Sequence, residues 1–201
     1  MKKTFGIIGA GNIGKTVAKH LVKAGYPVKL SNSSGPDALK EVIAGLGELA
    51  SAVTPQAAAT ADITLLALPW QQLSTLTNLV DWKDRIVIDA TNQFLTHGPE
   101  FKVEDLGGKP SSSVVAALLP GARIVKAFNT LYYKVLEQDP QQSGGKRVIF
   151  ISGDHEEAKQ EVRTAIEAMG FAVVDLGTLA GGSHLQHPKA PLANLNLIRI
   201  S

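Results

Sequence analysis

Short apolar runs alternate with amphipathic stretches along nearly the whole chain. The runs are Thr4–Gly9, Pro27–Ser31, Ala61–Leu68, Arg85–Ile88, Arg123–Phe128, Arg147–Ser152 and Phe171–Asp175, each of strand length. In Ile63-Thr64-Leu65-Leu66-Ala67-Leu68 and Val148-Ile149-Phe150-Ile151 the apolar character is nearly continuous. A half-exposed strand alternates, whereas a strand covered on both faces need not. These runs therefore predict parallel strands in the middle of a sheet. Between them, Ile13, Val17 and Leu21 form a helical stripe that stops at Gly25, a residue suited to the left-handed cap. Pro36 opens a second helix, with Leu39, Val42, Ile43 and Leu46 facing inward. Asp154 and Glu157 stand at capping-box spacing before a third, which runs through Ala158, Val162, Ala165, Ile166 and Met169 to Gly170.

Strand–helix alternation predicts an α/β fold: a doubly wound, mostly parallel sheet of Rossmann type with helices on both faces. Residues 1–178 form the expected domain. The Gly-, Pro- and Asn-rich segment 179–201 is expected to be a tail that completes the pocket or a dimer contact. Thr91–Ser113 is loop-rich, and no internal repeat is visible. At 201 residues the chain can bury a sizeable core. Its net charge of +2, with no basic run interleaved with aromatics, argues against a nucleic-acid surface. The absence of cysteine removes disulfides, thiolate nucleophiles and Cys-type metal sites. Met1-Lys2-Lys3 before Phe5-Gly6-Ile7-Ile8 imitates a signal peptide, but Gly9, Gly11, Asn12 and Lys15 break the apolar run. No stretch reaches the roughly 18 apolar residues of a membrane helix. The expectation is a cytoplasmic protein with no membrane partner.

Gly9-Ala10-Gly11-Asn12-Ile13-Gly14 matches G-x-G-x-x-G directly after an apolar strand and directly before an amphipathic helix. In that context Gly9 permits the tight turn, Gly11 lets a pyrophosphate approach the backbone, and Gly14 lets helix pack on strand. The first helical N–H groups then face the anion. Roughly 20 residues on, a site for NAD would place Asp or Glu on the ribose. The chain instead reads Ser31-Asn32-Ser33-Ser34-Gly35, with donors for a 2′-phosphate and no carboxylate to repel one. NADP is favoured over NAD, and Lys40 adds charge one turn later; the same residues also suit helix capping. Asn92 and Asn129, with Thr91 and Thr130, fall at strand ends, which face the ligand crevice of such a sheet. Each Asn amide both donates and accepts, as orienting a carboxamide requires.

Several segments together resemble the bacterial and archaeal oxidoreductases related to NADPH-dependent reductases of the deazaflavin coenzyme F-420. They are Gly9–Gly14, Leu30-Ser31-Asn32-Ser33, Leu68-Pro69-Trp70, Ile88-Asp89-Ala90-Thr91-Asn92, Lys126-Ala127-Phe128-Asn129-Thr130, Ser152-Gly153-Asp154 and Pro191–Ile198. The resemblance implies that the backbone of Ala10, Asn12 and Ile13 meets the pyrophosphate and that Ser31 to Ser34 form the 2′-phosphate loop. Many relatives carry Arg at the position of Ser34. It further implies that Ala67, Leu68, Pro69 and Trp70 line the cofactor, and that Ala90, Thr91, Asn92, Ala127 and Asn129 lie near the nicotinamide. Coenzyme F-420 or a flavin would be the second substrate, and the family's habit is a homodimer. The apolar residues Leu195, Leu197, Ile198 and Ile200 suit such a contact.

Hydride transfer between two bound redox rings needs alignment and exclusion of water, while a protein acid or base is optional. The sequence fits that description. Tyr132 and Tyr133 have no lysine four residues on, so the short-chain dehydrogenase pattern is absent, and no Gly-x-Ser-x-Gly occurs. His20, beside Lys23, is expected to face solvent; His97 lies in the long loop and His155 in a first helical turn. His184 and His187 form H-x-x-H with no third ligand nearby, short of what zinc needs. His97 and His184 are candidate proton donors, and Asp89 is expected to tie down adjoining loops. The expected function is hydride transfer between NADP(H) and a deazaflavin, flavin-like or small electron acceptor, with no catalytic side chain and no metal. A non-catalytic NADPH sensor is the alternative, and a dehydrogenase of small alcohols or imines a third reading.

Overall fold

The computed structural model describes residues 2–96, 101–142 and 144–200. In chain order its elements are β1 (Phe5–Ile8), α1 (Asn12–Lys23), β2 (Val28–Ser31), α2 (Lys40–Leu46), β3 (Ala50–Ala52), α3 (Pro55–Ala59), β4 (Ile63–Leu66) and β5 (Ile86–Asp89). There follow α4 (Ser111–Leu118), β6 (Arg123–Lys126), α5 (Tyr133–Leu136), β7 (Gln141–Gln142), β8 (Gly145–Gly153), α6 (Glu156–Ala168), β9 (Ala172–Asp175), α7 (Leu179–Gly182) and β10 (Ile198–Ile200). Short 3-10 turns occupy Pro36–Leu39, Trp70–Leu76 and Ser183–Gln186.

The strand order β3-β2-β1-β4-β5-β6 is parallel throughout, and β8 continues it antiparallel to β6. Beyond, β8 pairs parallel with β9 and antiparallel with β10. Strands β1, β4 and β5 are buried at every position. Successive residues feed two different cores, which is why the apolar runs are continuous. Ile7, Leu65, Ile88 and Val125 point to one face, against Val17 and Leu21 of α1 and Val162 and Ile166 of α6. Ile8, Leu66, Val87 and Ile124 point to the other, against Ala58 and Ala59 of α3, Leu73, Leu76, Trp82 and Val115. Each such side chain contributes about 1.5–3 kcal/mol. The predicted doubly wound, mostly parallel sheet is the fold observed.

Several local expectations are corrected. Several strands are shorter than their apolar runs, with Pro27, Leu68 and Phe128 lying beyond them, whereas β8 extends past its run at both ends, from Gly145 to Gly153. The strands β3, β7 and β10 span only two or three residues and carry no periodicity of their own. The helix predicted from Pro36 starts as a 3-10 turn, and only Leu39 of its four apolar residues is fully buried. No capping box forms at Asp154: His155 is the N-cap of α6, and Asp154 Oδ1 instead accepts from the Leu179 N–H, 2.9 Å away, at the start of α7. His20 does not face solvent. It is 7% exposed, its Nε2 2.7 Å from the Leu136 carbonyl and its ring edge-on to Phe171. Among the described residues, no helix is long and apolar enough to cross a membrane.

Candidate functional site

At the carboxyl end of β1 the three glycines have separable roles. Gly9 has φ +112°, and a Cβ there would stand 2.2 Å from the Ala67 carbonyl oxygen. A Cβ on Gly14 would stand 1.9 Å from the Gly9 carbonyl oxygen, so helix and strand touch through missing side chains. Gly11 is different: a Cβ there meets nothing within 4 Å. It is the N-cap of α1, an ordinary extended residue with no side-chain cap, and the first acceptor bond of the helix runs from Lys15 N–H to its carbonyl. The N–H groups of Asn12, Ile13 and Gly14 begin a twelve-residue helix whose N-cap side is open at Gly11. The cradle fits a diphosphate.

The loop after β2 is divided. Ser31 is fully buried and its hydroxyl donates to the Ile7 carbonyl at 2.9 Å, so its predicted donor role toward a phosphate is corrected: it ties β2 to β1. Asn32 Oδ1 accepts from Ser34 N–H at 3.1 Å, a local turn that leaves the Asn32 amide N–H groups and the exposed Ser33 and Ser34 hydroxyls outward. Lys40 is paired with Asp37 at 2.8 Å on the surface, which offsets the charge expected of it.

The later strand ends are more deeply committed than the sequence suggests. Ala67, Leu68 and Pro69 stay at least partly open, but Trp70 is 7% exposed, packed among Leu73, Leu76 and Trp82, with its ring N–H on Glu104. It is a core residue rather than a platform. Ala90 and Ala127 are buried. Thr91 is also buried, its hydroxyl donating to Asp89 Oδ1 at 2.7 Å. Asn92 and Asn129 bind each other: Asn129 Nδ2 donates to Asn92 Oδ1, and Asn92 Nδ2 to the Asn129 carbonyl, both at 3.0 Å. Asn129 Nδ2 also donates to the Gln186 carbonyl at 2.7 Å, so Asn129 is the more fully engaged of the two, and Asn92 stays half-buried. The turn that brings them together puts Phe128 at φ +64°, a left-handed conformation that costs a bulky residue about 1–2 kcal/mol.

Beneath this layer lies a buried ion pair. Lys126 Nζ is 2.9 Å from Asp89 Oδ2, and both side chains are inaccessible. Lys126 also donates to the Thr91 carbonyl at 2.6 Å and to Ser111 Oγ at 3.2 Å, and Ser112 Oγ donates to Asp89 Oδ2 at 2.7 Å. Burial alone would raise the Asp89 carboxyl, but Lys126 and the bonds from Thr91 and Ser112 outweigh it and hold the group below its ordinary 3.8. Asp89 ties down the loops, as expected, and Lys126, Ser111 and Ser112 are the partners missed. Lys126 had a signal: Asp89 and Lys126 end adjacent strands and pair in register.

Of the histidines, His97 lies outside the described residues and His155 is exposed at the head of α6. His184 is exposed, 5.5 Å from the His187 ring centre to centre. His187 has both ring nitrogens engaged: Nε2 accepts from Ser111 N–H at 3.0 Å, and Nδ1 is 3.3 Å from Gln93 Nε2. Among the described residues no group of three or more His, Cys, Asp or Glu is placed to hold a metal ion.

Residues 4–93, which include the glycine turn, match the family described as NADP oxidoreductase, coenzyme F420-dependent. A crystal structure of a hypothetical protein, SMa0349, from Sinorhizobium meliloti superposes with a TM-score of 0.92 at 42% identity, over 99% of this chain and 96% of that one. The F420-dependent NADP reductase of Methanothermobacter thermautotrophicus is 26% identical over 94% of this chain and 87% of its own length. Metalloreductase STEAP3 of Rattus norvegicus is 29% identical over 90% of this chain, which spans only 35% of that protein.

Proposed function

We propose that this chain, which belongs to the coenzyme F420-dependent NADP oxidoreductase family, holds NADP(H) at the carboxyl ends of its parallel strands and serves hydride transfer to a deazaflavin, flavin-like or small electron acceptor. The observation that carries the reading is the glycine turn: two glycines whose side chains would collide with backbone, and between them one that opens onto the bare head of α1. That is the pattern a pyrophosphate site needs and a plain tight turn does not.

In this reading the N–H groups of Asn12 and Ile13 bind the pyrophosphate, with Ala10 and Gly11 forming the floor. Asn32, Ser33 and Ser34 donate to the 2′-phosphate, and the lack of a carboxylate in residues 31–35 favours NADP over NAD. Pro69 and Leu68 flank the cofactor from the β4 end, and Asn92 orients the carboxamide. The nicotinamide supplies the hydride chemistry when bound. What the chain supplies is orientation, from a site whose inner polar groups are already paired with one another. The exposed apolar residues Leu195, Leu197 and Ile200, the last 76% exposed, support a homodimer.

Titration with NADPH and stopped-flow absorbance with coenzyme F420, FMN, FAD and quinones test the reading together. Tight NADPH binding with oxidation by at least one acceptor is the expected result. Tight binding with no oxidation by any acceptor points to a nucleotide sensor instead, and no binding overturns both.

A further inference from the structure

The segment after α7 does more than cover the sheet. Gln186 is 1% exposed and bonded on every side: Ser152 Oγ donates to its Oε1 at 2.7 Å, its Nε2 donates to the Phe150 carbonyl at 3.2 Å, and its own carbonyl accepts from Asn129. Next to it, His187 reaches the opposite way, to the head of α4 and to Gln93. Two adjacent residues thus grip the loops after β5 and β6, strand β8 and the start of α4. Asn194 N–H adds a bond to the Thr130 carbonyl at 2.7 Å.

The protonation of His187 follows from this geometry. Nε2 accepts a backbone N–H, so a neutral ring carries its proton on Nδ1. The atom placed 3.3 Å from Nδ1 is Gln93 Nε2, while Gln93 Oε1 is buried without a partner; turning the carboxamide over gives Oε1 the ring N–H as its donor. A second proton on the ring would set N–H against the Ser111 N–H and break the bond. Burial, then Lys126 and His184, hold the ring below its ordinary 6.5, with Asp89 opposing. The charged groups that face it are Lys126 on β6, Asp89 on β5, His184 on its own turn, and Glu104, Asp105 and Lys109 of the loop that shares a pocket of about 160 Å³ with Gln93, His184 and His187.

We propose that His187, in its neutral Nδ1–H form, is a positioning residue: with Gln186 it clasps residues 183–194 onto the strand ends that carry Asn92, and protonation of the ring opens the clasp. The inference rests on the site proposed above, but its test does not depend on nucleotide binding. Hydrogen-exchange protection is measured between pH 8 and pH 5.5 for peptides covering 89–93, 127–130 and 183–194, with α1 as the internal reference. Thermal melts accompany it to verify folding. In the wild-type chain, protection of the three segments relative to α1 falls as the pH drops through the ring's titration. His187→Leu shows roughly tenfold lower relative protection at pH 8, and His187→Gln, whose amide oxygen reaches the Nε2 position and can accept from Ser111, restores it and removes the pH dependence. Unchanged protection in His187→Leu, or the same pH dependence in His187→Gln as in the wild type, overturns the clasp. Should His187→Leu fail to fold, the comparison of wild type with His187→Gln decides alone. NADPH titration on the same samples is read separately: a failed clasp with intact binding, and an intact clasp with no binding, point to different errors.

Discussion

Replacing Gly11 by Asp separates nucleotide binding from folding. A Cβ at this position meets no atom within 4 Å and its φ of −74° suits any residue, so the folded chain has room for the side chain. Asp is also among the preferred N-cap residues, its carboxylate accepting from the second or third helical N–H, here Ile13 or Gly14. Ile13 N–H is one of the two donors assigned to the pyrophosphate, and the carboxylate would stand beside the other. Losing one hydrogen bond to a charged group removes about 1.5–3 kcal/mol. A carboxylate about 4 Å from a phosphate oxygen adds repulsion, bounded by about 4 kcal/mol at an effective dielectric of 20. A combined loss of about 3 kcal/mol, near the low end, already weakens Kd by roughly a hundredfold. Calorimetric titration should therefore show NADPH affinity reduced about a hundredfold or more, while Tm stays level or rises slightly. Gly14→Ala should do the reverse to the fold, because its Cβ would stand 1.9 Å from backbone oxygen, and should lower Tm by several degrees. If Gly11→Asp melts like the wild type and still binds NADPH within about threefold of it, the turn is not a phosphate cradle and the reasoning fails.

Other outcomes follow from the same geometry. Ser34→Arg places a guanidinium on the exposed part of the loop and should widen the NADPH-over-NADH preference about tenfold, measured by paired titrations; equal wild-type affinity for both would remove the case for NADP. Lys126→Met strands the Asp89 carboxylate in the interior and should cost about 3–5 kcal/mol in urea unfolding, with the added change Asp89→Asn restoring part of the loss. His20 and His187 are both held below 6.5 in the fold, so the unfolded chain takes up protons first as pH falls. The stability they contribute is whole above about 6.5 and lost below it, through their folded values; Asp89, held below 3.8, keeps its contribution across that window. Unfolding free energies from pH 8 to 5 should fall accordingly, and His20→Gln should flatten the slope; an unchanged slope refutes that role. Light scattering at micromolar concentration should report a dimer, and a monomer would dispose of the homodimer.

What was legible in the sequence is what local chemistry dictates. The glycine turn could be read because a Cβ at Gly14 would stand 1.9 Å from the Gly9 carbonyl oxygen, which leaves only one residue type there. Strands β1, β4 and β5 could be read because both faces are buried, which forces consecutive apolar residues. What was not legible depends on partners far along the chain. His20 looks exposed beside Lys23 until Leu136, 116 residues later, arrives to accept its bond. Ser31 looks like a phosphate ligand until its hydroxyl is seen on Ile7. Asp154 has the right spacing for a capping box, but α7 competes for its carboxylate and wins. The tail's strand β10 has three residues and gains its order from pairing with β8, a long-range effect that no short window contains.

The committed state of the polar groups bears on which reaction this site can serve. Asp89 is saturated by Lys126, Thr91 and Ser112, and His187 by Ser111 and Gln93; Asn129 is held by Asn92 and Gln186. Among the described residues, the groups nearest the strand ends are thus arranged to hold loops still. Reducing a carbonyl requires a proton for the developing alkoxide, from a side chain within hydrogen-bond reach or through a positioned water. Hydride transfer to a redox ring has no such requirement of the protein. With an acceptor that oxidises NADPH, the hydride step should therefore show a primary isotope effect with deuterium on nicotinamide C4 and a solvent isotope effect of about 1. A solvent effect of about 2 or more on that same step would mean that a proton moves in the transition state, supplied by a group other than the paired Asp89, His187 and Asn129.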